Sequence, residues 1–156
     1  MARATPAVVT DAANDTDAAA IACDASRAHL PDVLAFVDHA CERAGLDREI
    51  AFDLRLATEE AVMNVIVHGY GAGPAGPITV RFRREPERVL VIVEDLARPF
   101  DPALVPRADP TAPLEERRIG GLGWHLINQV MDEVHHERRH PSGNRLTLVK
   151  RISSTH

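Results

Sequence analysis

With 156 residues, 45% of them hydrophobic and 26% charged, the chain has the size and composition of one soluble domain able to bury its own core. Its 18 basic and 23 acidic residues leave a net charge of −5, which provides no electrostatic footprint for nucleic acid or an anionic membrane. There is no membrane-span-length apolar stretch and no signal-peptide core, and Cys23 and Cys41 lack metal-binding spacing, so a cytoplasmic protein with reduced thiols is expected.

Residues 1 to about 18, rich in Ala, Thr and Asp without periodicity, read as a flexible tail, leaving one domain over residues 19–153. A short strand is expected from Ala19 to Ala25. Leu30, Val33, Leu34, Val37, Cys41 and Ala44 follow at helical spacing, with Pro31 near the start and Gly45 as the stop. Asp47 is placed to cap a second helix running to His68, which the Gly69-Tyr70-Gly71 turn ends. After a Gly/Pro loop, residues 78–83 alternate as a half-exposed strand, and residues 89–93 are apolar on both faces, as in a central strand. Four prolines between residues 101 and 120 exclude uninterrupted helix and suggest a lid or linker. A third helix is expected from Gly121 to Asp132, and residues 134–140 and 145–152 read as a closing hairpin. Hairpin-linked strands and grouped helices predict a two-layer α/β sandwich, with a mixed sheet covered on one face by three helices.

Three polar clusters stand out. Glu60, Asn64 and His68 are four residues apart and share one helical stripe, facing either a polar ligand or solvent. For a ligand, the Asn64 amide offers a hard neutral oxygen suited to magnesium, which keeps waters and substrate phosphates as its other ligands. Glu60, one turn back, could take a proton from an attacking hydroxyl. The second cluster, Glu94-Asp95-Leu96-Ala97-Arg98-Pro99-Phe100-Asp101, closes the most apolar strand. Its Asp95 carboxylate can accept from an exocyclic amine, or the segment can serve only as a turn. In the third, Gly120-Gly121-Leu122-Gly123, glycines open a helix, either for packing or to let backbone N–H groups approach a phosphate. The absence of a Gly-x-x-x-x-Gly-Lys-Ser/Thr run excludes a Walker-type phosphate loop.

In order and spacing, Glu-Glu-Ala-Val-Met-Asn-Val-Ile-Val-His-Gly-Tyr (59–70), Arg-Pro-Phe-Asp-Pro (98–102) and Ile-Gly-Gly-Leu-Gly-Trp-His-Leu-Ile (119–127) resemble the nucleotide-binding boxes of the GHKL ATP-binding superfamily. The closest resemblance is to its anti-sigma factor serine/threonine kinases of the RsbW/SpoIIAB type, over about residues 20–152. The resemblance implies the GHKL (Bergerat) fold, with ATP and Mg2+ as cofactors. Glu60 would be the catalytic base and Asn64 the metal ligand, with His68 beside the phosphates or lid. Asp95 would bind the adenine amine, Ala97 and Phe100 would be among the nucleotide-binding residues, and Thr147 would support the adenine pocket. Gly120, Gly121, Leu122 and Gly123 would line the phosphates, under a lid formed by residues 101–120. Such kinases phosphorylate a STAS-domain antagonist that competes with a sigma factor, work beside PP2C-type phosphatases and are usually homodimers; the alternative is a non-catalytic ATP- or ADP-binding scaffold.

One residue departs from the family pattern. Asp95-Leu96-Ala97 stands where the family commonly has Asp-x-Gly, so a methyl group is expected to face the nucleotide pocket. His136 and His140 lie too far apart along one strand to share a metal ion. The His-Glu-x-Arg-x-Pro run at 136–141 mimics a histidine phosphoacceptor, yet it falls inside the closing hairpin rather than on a dimerisation helix. Arg117 and Arg118 read as a solvated lid edge or a phosphate contact, and Trp124 as core or subunit interface.

Overall fold

A computed structural model describes residues 6–10, 18–99, 101 and 122–153. Six strands form one sheet in the order β1-β2-β3-β4-β6-β5: β1 Ala7–Thr10, β2 Ala18–Asp24, β3 Pro77–Arg84, β4 Arg88–Asp95, β5 Glu133–Arg138 and β6 Asn144–Arg151. The helices are α1 (Leu30–Arg43), α2 (Arg48–Asn64) and α3 (Leu122–Val130), and a π-helical segment, Val65–Tyr70, continues α2. β1 lies within the stretch expected to be a flexible tail. Its Ala-Val-Val-Thr sequence suits an edge strand, and it pairs with β2 from Ala7↔Ala22 to Thr10↔Ala19.

The two-layer sandwich is observed, but the expected mixed sheet is not: every described pair is antiparallel. Between β2 and β3 the chain makes two helices rather than one, which returns it to the sheet running in the opposite direction. β4 and β5 do run parallel, but β6 lies between them and is antiparallel to both.

Strand register decides which side chains meet the helices. Ile21, Val80, Val93 and Leu146 line up across the sheet on one face, and Phe82, Val91 and Leu148 form the next row. These rows pack against Val33, Val37 and Cys41 of α1, Leu54, Ala61 and Val62 of α2, and Ile127 of α3. Pro31 in the first turn of α1 loses no helical bond, and Gly45 leaves the helix at φ +70. Cys41 fills the core, and burial pushes its thiol up to about 12, so it behaves as a small apolar side chain. On the opposite face, Glu94 receives hydrogen bonds from Arg81 at 2.8 Å and Arg145 at 3.2 Å. Burial alone would raise its pKa, but these guanidiniums hold it below the ordinary carboxylate value.

One ion pair fastens the helical layer to the sheet. Lys150 of β6 lies 2.9 Å from Asp53 of α2 and donates to the Val130 carbonyl at 2.7 Å, at the C-terminal end of α3. Lys150→Met is expected to lower stability by about 1–2 kcal/mol, because Asp53 would keep a half-buried charge without its partner. Urea unfolding should show this as a lower midpoint at unchanged slope, with partial recovery when Asp53→Leu is added.

Candidate active site

α2 is built to present its polar side toward α3. Asp47 caps it by accepting from Ile50 N–H at 2.9 Å, and Leu54, Ala57, Ala61 and Val62 are buried in the core. Glu60 and Asn64 are left half-buried on one α-helical stripe. From Val65 the winding widens, and Gly71 closes the segment at φ +61 by donating to the Ile66 carbonyl five residues back, at 3.1 Å. His68 therefore follows the π winding, not the straight four-residue pitch predicted for it.

The first turn of α3 meets this stripe directly. A Cβ added at Gly123 would lie 2.6 Å from Glu60 Oε2 and 3.8 Å from Asn64 Oδ1. No side chain fits there without displacing the Glu60 carboxylate. The helix start that Leu122 opens is thus brought directly against a carboxylate and an amide. Phe100, Gly120, Gly121 and nearly all of the expected lid lie outside the described residues.

A second assembly surrounds Asp95, the last residue of β4, which is 3% exposed. Its Oδ1 accepts from Ala97 N–H at 2.9 Å and from Asn144 Nδ2 at 3.0 Å. Burial raises the Asp95 pKa above 3.8, although these bonds and the nearby Arg139 guanidinium oppose the rise. Asn144 Nδ2 also donates to the Arg98 carbonyl at 3.1 Å. With both amide hydrogens used, Asn144 Oδ1 accepts from His136 Nε2 at 2.8 Å, which assigns the proton to that ring nitrogen. Arg139 donates to the Asp95 carbonyl at 3.2 Å, and Ser142 Oγ to the Ala97 carbonyl at 3.2 Å. The β5–β6 loop therefore clasps the turn after β4.

Two expectations change here. Thr147 pairs with Ile92, one step out of phase with Asp95, so it lies on the opposite face of the sheet and does not support this pocket. The strand residue directly opposite Asp95 is Asn144. Sequence inspection assigned Asn144 to the hairpin turn, but counting back by twos from the inward Leu148 and Leu146 reaches it. Ala97, for its part, does not project a methyl into open space. It is 3% exposed, and its Cβ lies 3.0 Å from where a Cβ on Gly69 would be. The Ala97 methyl is accommodated because Gly69, which faces it, has no side chain. Among the described residues there is no cluster that could hold a metal through three or more His, Cys, Asp or Glu side chains, and none of the helices is long and apolar enough to cross a membrane.

Comparison with known proteins agrees with this geometry. A family model described as a histidine kinase-like ATPase domain matches residues 23–150. The chain is 33% identical over 119 residues to a protein of Halalkalibacterium halodurans named Serine-protein kinase RsbW, covering 73% of this chain and 70% of that one. Proteins of the same name from Oceanobacillus iheyensis and Listeria innocua are 30% identical over 96 residues and 36% over 98. Each of those two alignments covers 59% of this chain and 61% of the relative. The crystal structure of the SiaB-SiaC complex from Pseudomonas aeruginosa contains a chain of similar fold, with a TM-score of 0.59 and 17% identity, covering 82% of this chain and 87% of that one.

Proposed function

The chain belongs to the histidine kinase-like ATPase domain family, and we propose that it is a serine/threonine protein kinase that phosphorylates a STAS-domain antagonist with ATP. It works as an anti-sigma-type partner switch, in which the unphosphorylated antagonist and a sigma factor compete for the kinase. A homodimer is the proposed assembly, and a PP2C-type phosphatase the proposed opponent. The observation that supports this reading is the meeting of Gly123 with Glu60 and Asn64, which brings a carboxylate, an amide oxygen and the first turn of a helix together.

The residues fit magnesium ATP. The backbone at Gly123 comes so close to the Glu60 carboxylate that an added Cβ would stand 2.6 Å from Oε2, and a buried carboxylate stands at the end of β4. When bound, magnesium ATP supplies the phosphoryl group to be transferred and the metal charge that neutralises it. Asn64 would hold the metal through Oδ1, with His68 nearby on the π-helical segment. Glu60 would orient the incoming serine or threonine hydroxyl and take its proton as that oxygen becomes phosphorylated. The N-terminal turn of α3, carrying Leu122 and Gly123 and preceded by Gly120 and Gly121, would direct its amides at the phosphates. Asp95 would accept from the adenine amine, with one oxygen already committed to Ala97 and Asn144.

The raised Asp95 pKa has a consequence for affinity. Protonation removes the acceptor that the amine needs, so ATP affinity should fall on acidification at a pH above that of an ordinary aspartate. Calorimetric titrations carried downward from neutral pH should show the fall in the wild type and its loss in Asp95→Asn. Transfer itself is tested with γ-labelled ATP, magnesium and the cognate antagonist. Acid-stable label on an antagonist serine or threonine is the expected result. Nucleotide binding without transfer would establish a non-catalytic scaffold instead, and acid-labile label on this chain would indicate histidine phosphorylation.

A further inference from the structure

We infer that Tyr70 is a positioning residue that couples the helix carrying Glu60 and Asn64 to the turn carrying Asp95, an inference that rests on the nucleotide-site reading above. The argument begins with its hydroxyl, which uses both hydrogen-bonding capacities at once. It donates to the Pro77 carbonyl at 2.7 Å and accepts from Leu96 N–H at 2.9 Å. Pro77 is the first residue of β3, and Leu96 follows the last residue of β4. Because Ile78 pairs with Asp95, Pro77 and Leu96 would be the next pair in that ladder.

Proline has no N–H to give to such a pair. The Tyr70 hydroxyl takes the place of a direct strand-to-strand bond between Leu96 N–H and the Pro77 carbonyl. The two strands are thereby held apart by one oxygen just beyond Asp95, and the chain turns away from the sheet there. The ring has a seat prepared for it. A Cβ at Gly76 would lie 2.3 Å from Tyr70 Cε1 and 2.8 Å from its hydroxyl oxygen, so only glycine permits this approach.

The preceding residue makes a second contact with the same turn. Gly69 lies against Ala97, close enough that a Cβ on it would stand 3.0 Å from the Ala97 methyl. The π winding from Val65 to Tyr70 brings both residues against the turn in succession, and Gly71 ends it immediately afterwards. The turn is thus gripped from one side by the end of the helix that bears Glu60 and Asn64, and from the other by Asn144, Ser142 and Arg139. A displacement of Leu96 N–H moves Asp95, its covalent neighbour. Tyr70 therefore sets where the base-accepting carboxylate stands relative to the phosphate end of the site, without touching the nucleotide.

Tyr70→Phe keeps the ring on Gly76 and removes only the bridging oxygen. ATP and purine riboside triphosphate, which lacks the 6-amino group, are titrated into wild type and variant, and amide exchange at Leu96 is followed without nucleotide. Exchange at Leu96 should quicken by about tenfold, and ATP affinity should fall about five- to tenfold, the loss of one or two hydrogen bonds. Affinity for purine riboside triphosphate should change less than about twofold. Equal losses for the two nucleotides, or unchanged exchange at Leu96, would overturn the coupling alone. Wild-type protein that binds neither nucleotide would overturn the site reading and this inference with it.

Discussion

Glu60→Gln is expected to lower phosphate transfer to the antagonist by about 10²–10⁴-fold while ATP affinity changes by less than about threefold. Glutamine has the same length and shape, so it can occupy the place beside Gly123 where Cβ substitution would collide. It retains hydrogen-bonding atoms but cannot accept a proton from the attacking hydroxyl. The two effects separate cleanly if transfer rate is measured with labelled ATP at saturation and affinity by calorimetry. A variant that transfers at the wild-type rate would assign the proton to another group. A variant that loses ATP binding would make Glu60 part of the nucleotide cradle instead.

Gly143→Ala should be the most damaging single methyl added to the site. Gly143 has φ +123, a conformation that an L side chain rarely adopts, and a Cβ there would lie 2.2 Å from the Asp95 carbonyl oxygen. Backbone strain of about 1–3 kcal/mol and overpacking of a similar size both apply, so a loss of about 3 kcal/mol is expected. The obstacle is backbone rather than the far end of a flexible side chain, so it yields only if the turn after β4 moves. That turn carries Asp95, and Asn144 follows Gly143 directly, so ATP affinity should fall together with the urea midpoint. A variant of wild-type stability that binds ATP normally would show that the loop can relax away from the turn.

These two positions differ in how visible they are before folding. Glu60 is legible because a helix repeats its faces every three to four residues, so Glu60 and Asn64 must share a stripe wherever that helix lies. The same periodicity placed α1, α2 and α3 to within a few residues; apolar alternation placed β3, and a run apolar on both faces placed β4. Local rules also foresaw the Asp47 cap and the Gly45 stop, since both depend on groups within one turn. Gly143 was visible only as part of a turn, because its obstacle is Asp95, 48 residues earlier in the chain. His68 was placed by the α pitch, and local sequence carries no sign that the helix widens to π winding at Val65.

Thr147 marks the limit more sharply. The family resemblance implies that Thr147 supports the adenine pocket, but the face it occupies depends on parity against a strand more than 50 residues away. One step of register separates the face of Asp95 from the face of Thr147, and Asn144 occupies the place that sequence inspection had given to Thr147. The contact between Ala97 and Gly69 belongs to the same class. Read alone, Ala97 is a lost glycine; packed against Gly69, it is one half of a contact whose small partner lies elsewhere.

The amino-acid order was therefore enough to set the helices, most of the strands, the three polar clusters and the family to which they belong, because these are short-range patterns of side-chain type. Folding settled what the clusters do to one another. It set Gly123 against Glu60 and Asn64, Asn144 against Asp95, and the Tyr70 hydroxyl between Pro77 and Leu96. Those pairings depend on strand register and on the approach of distant backbones to within a single atom's width, which no local pattern encodes.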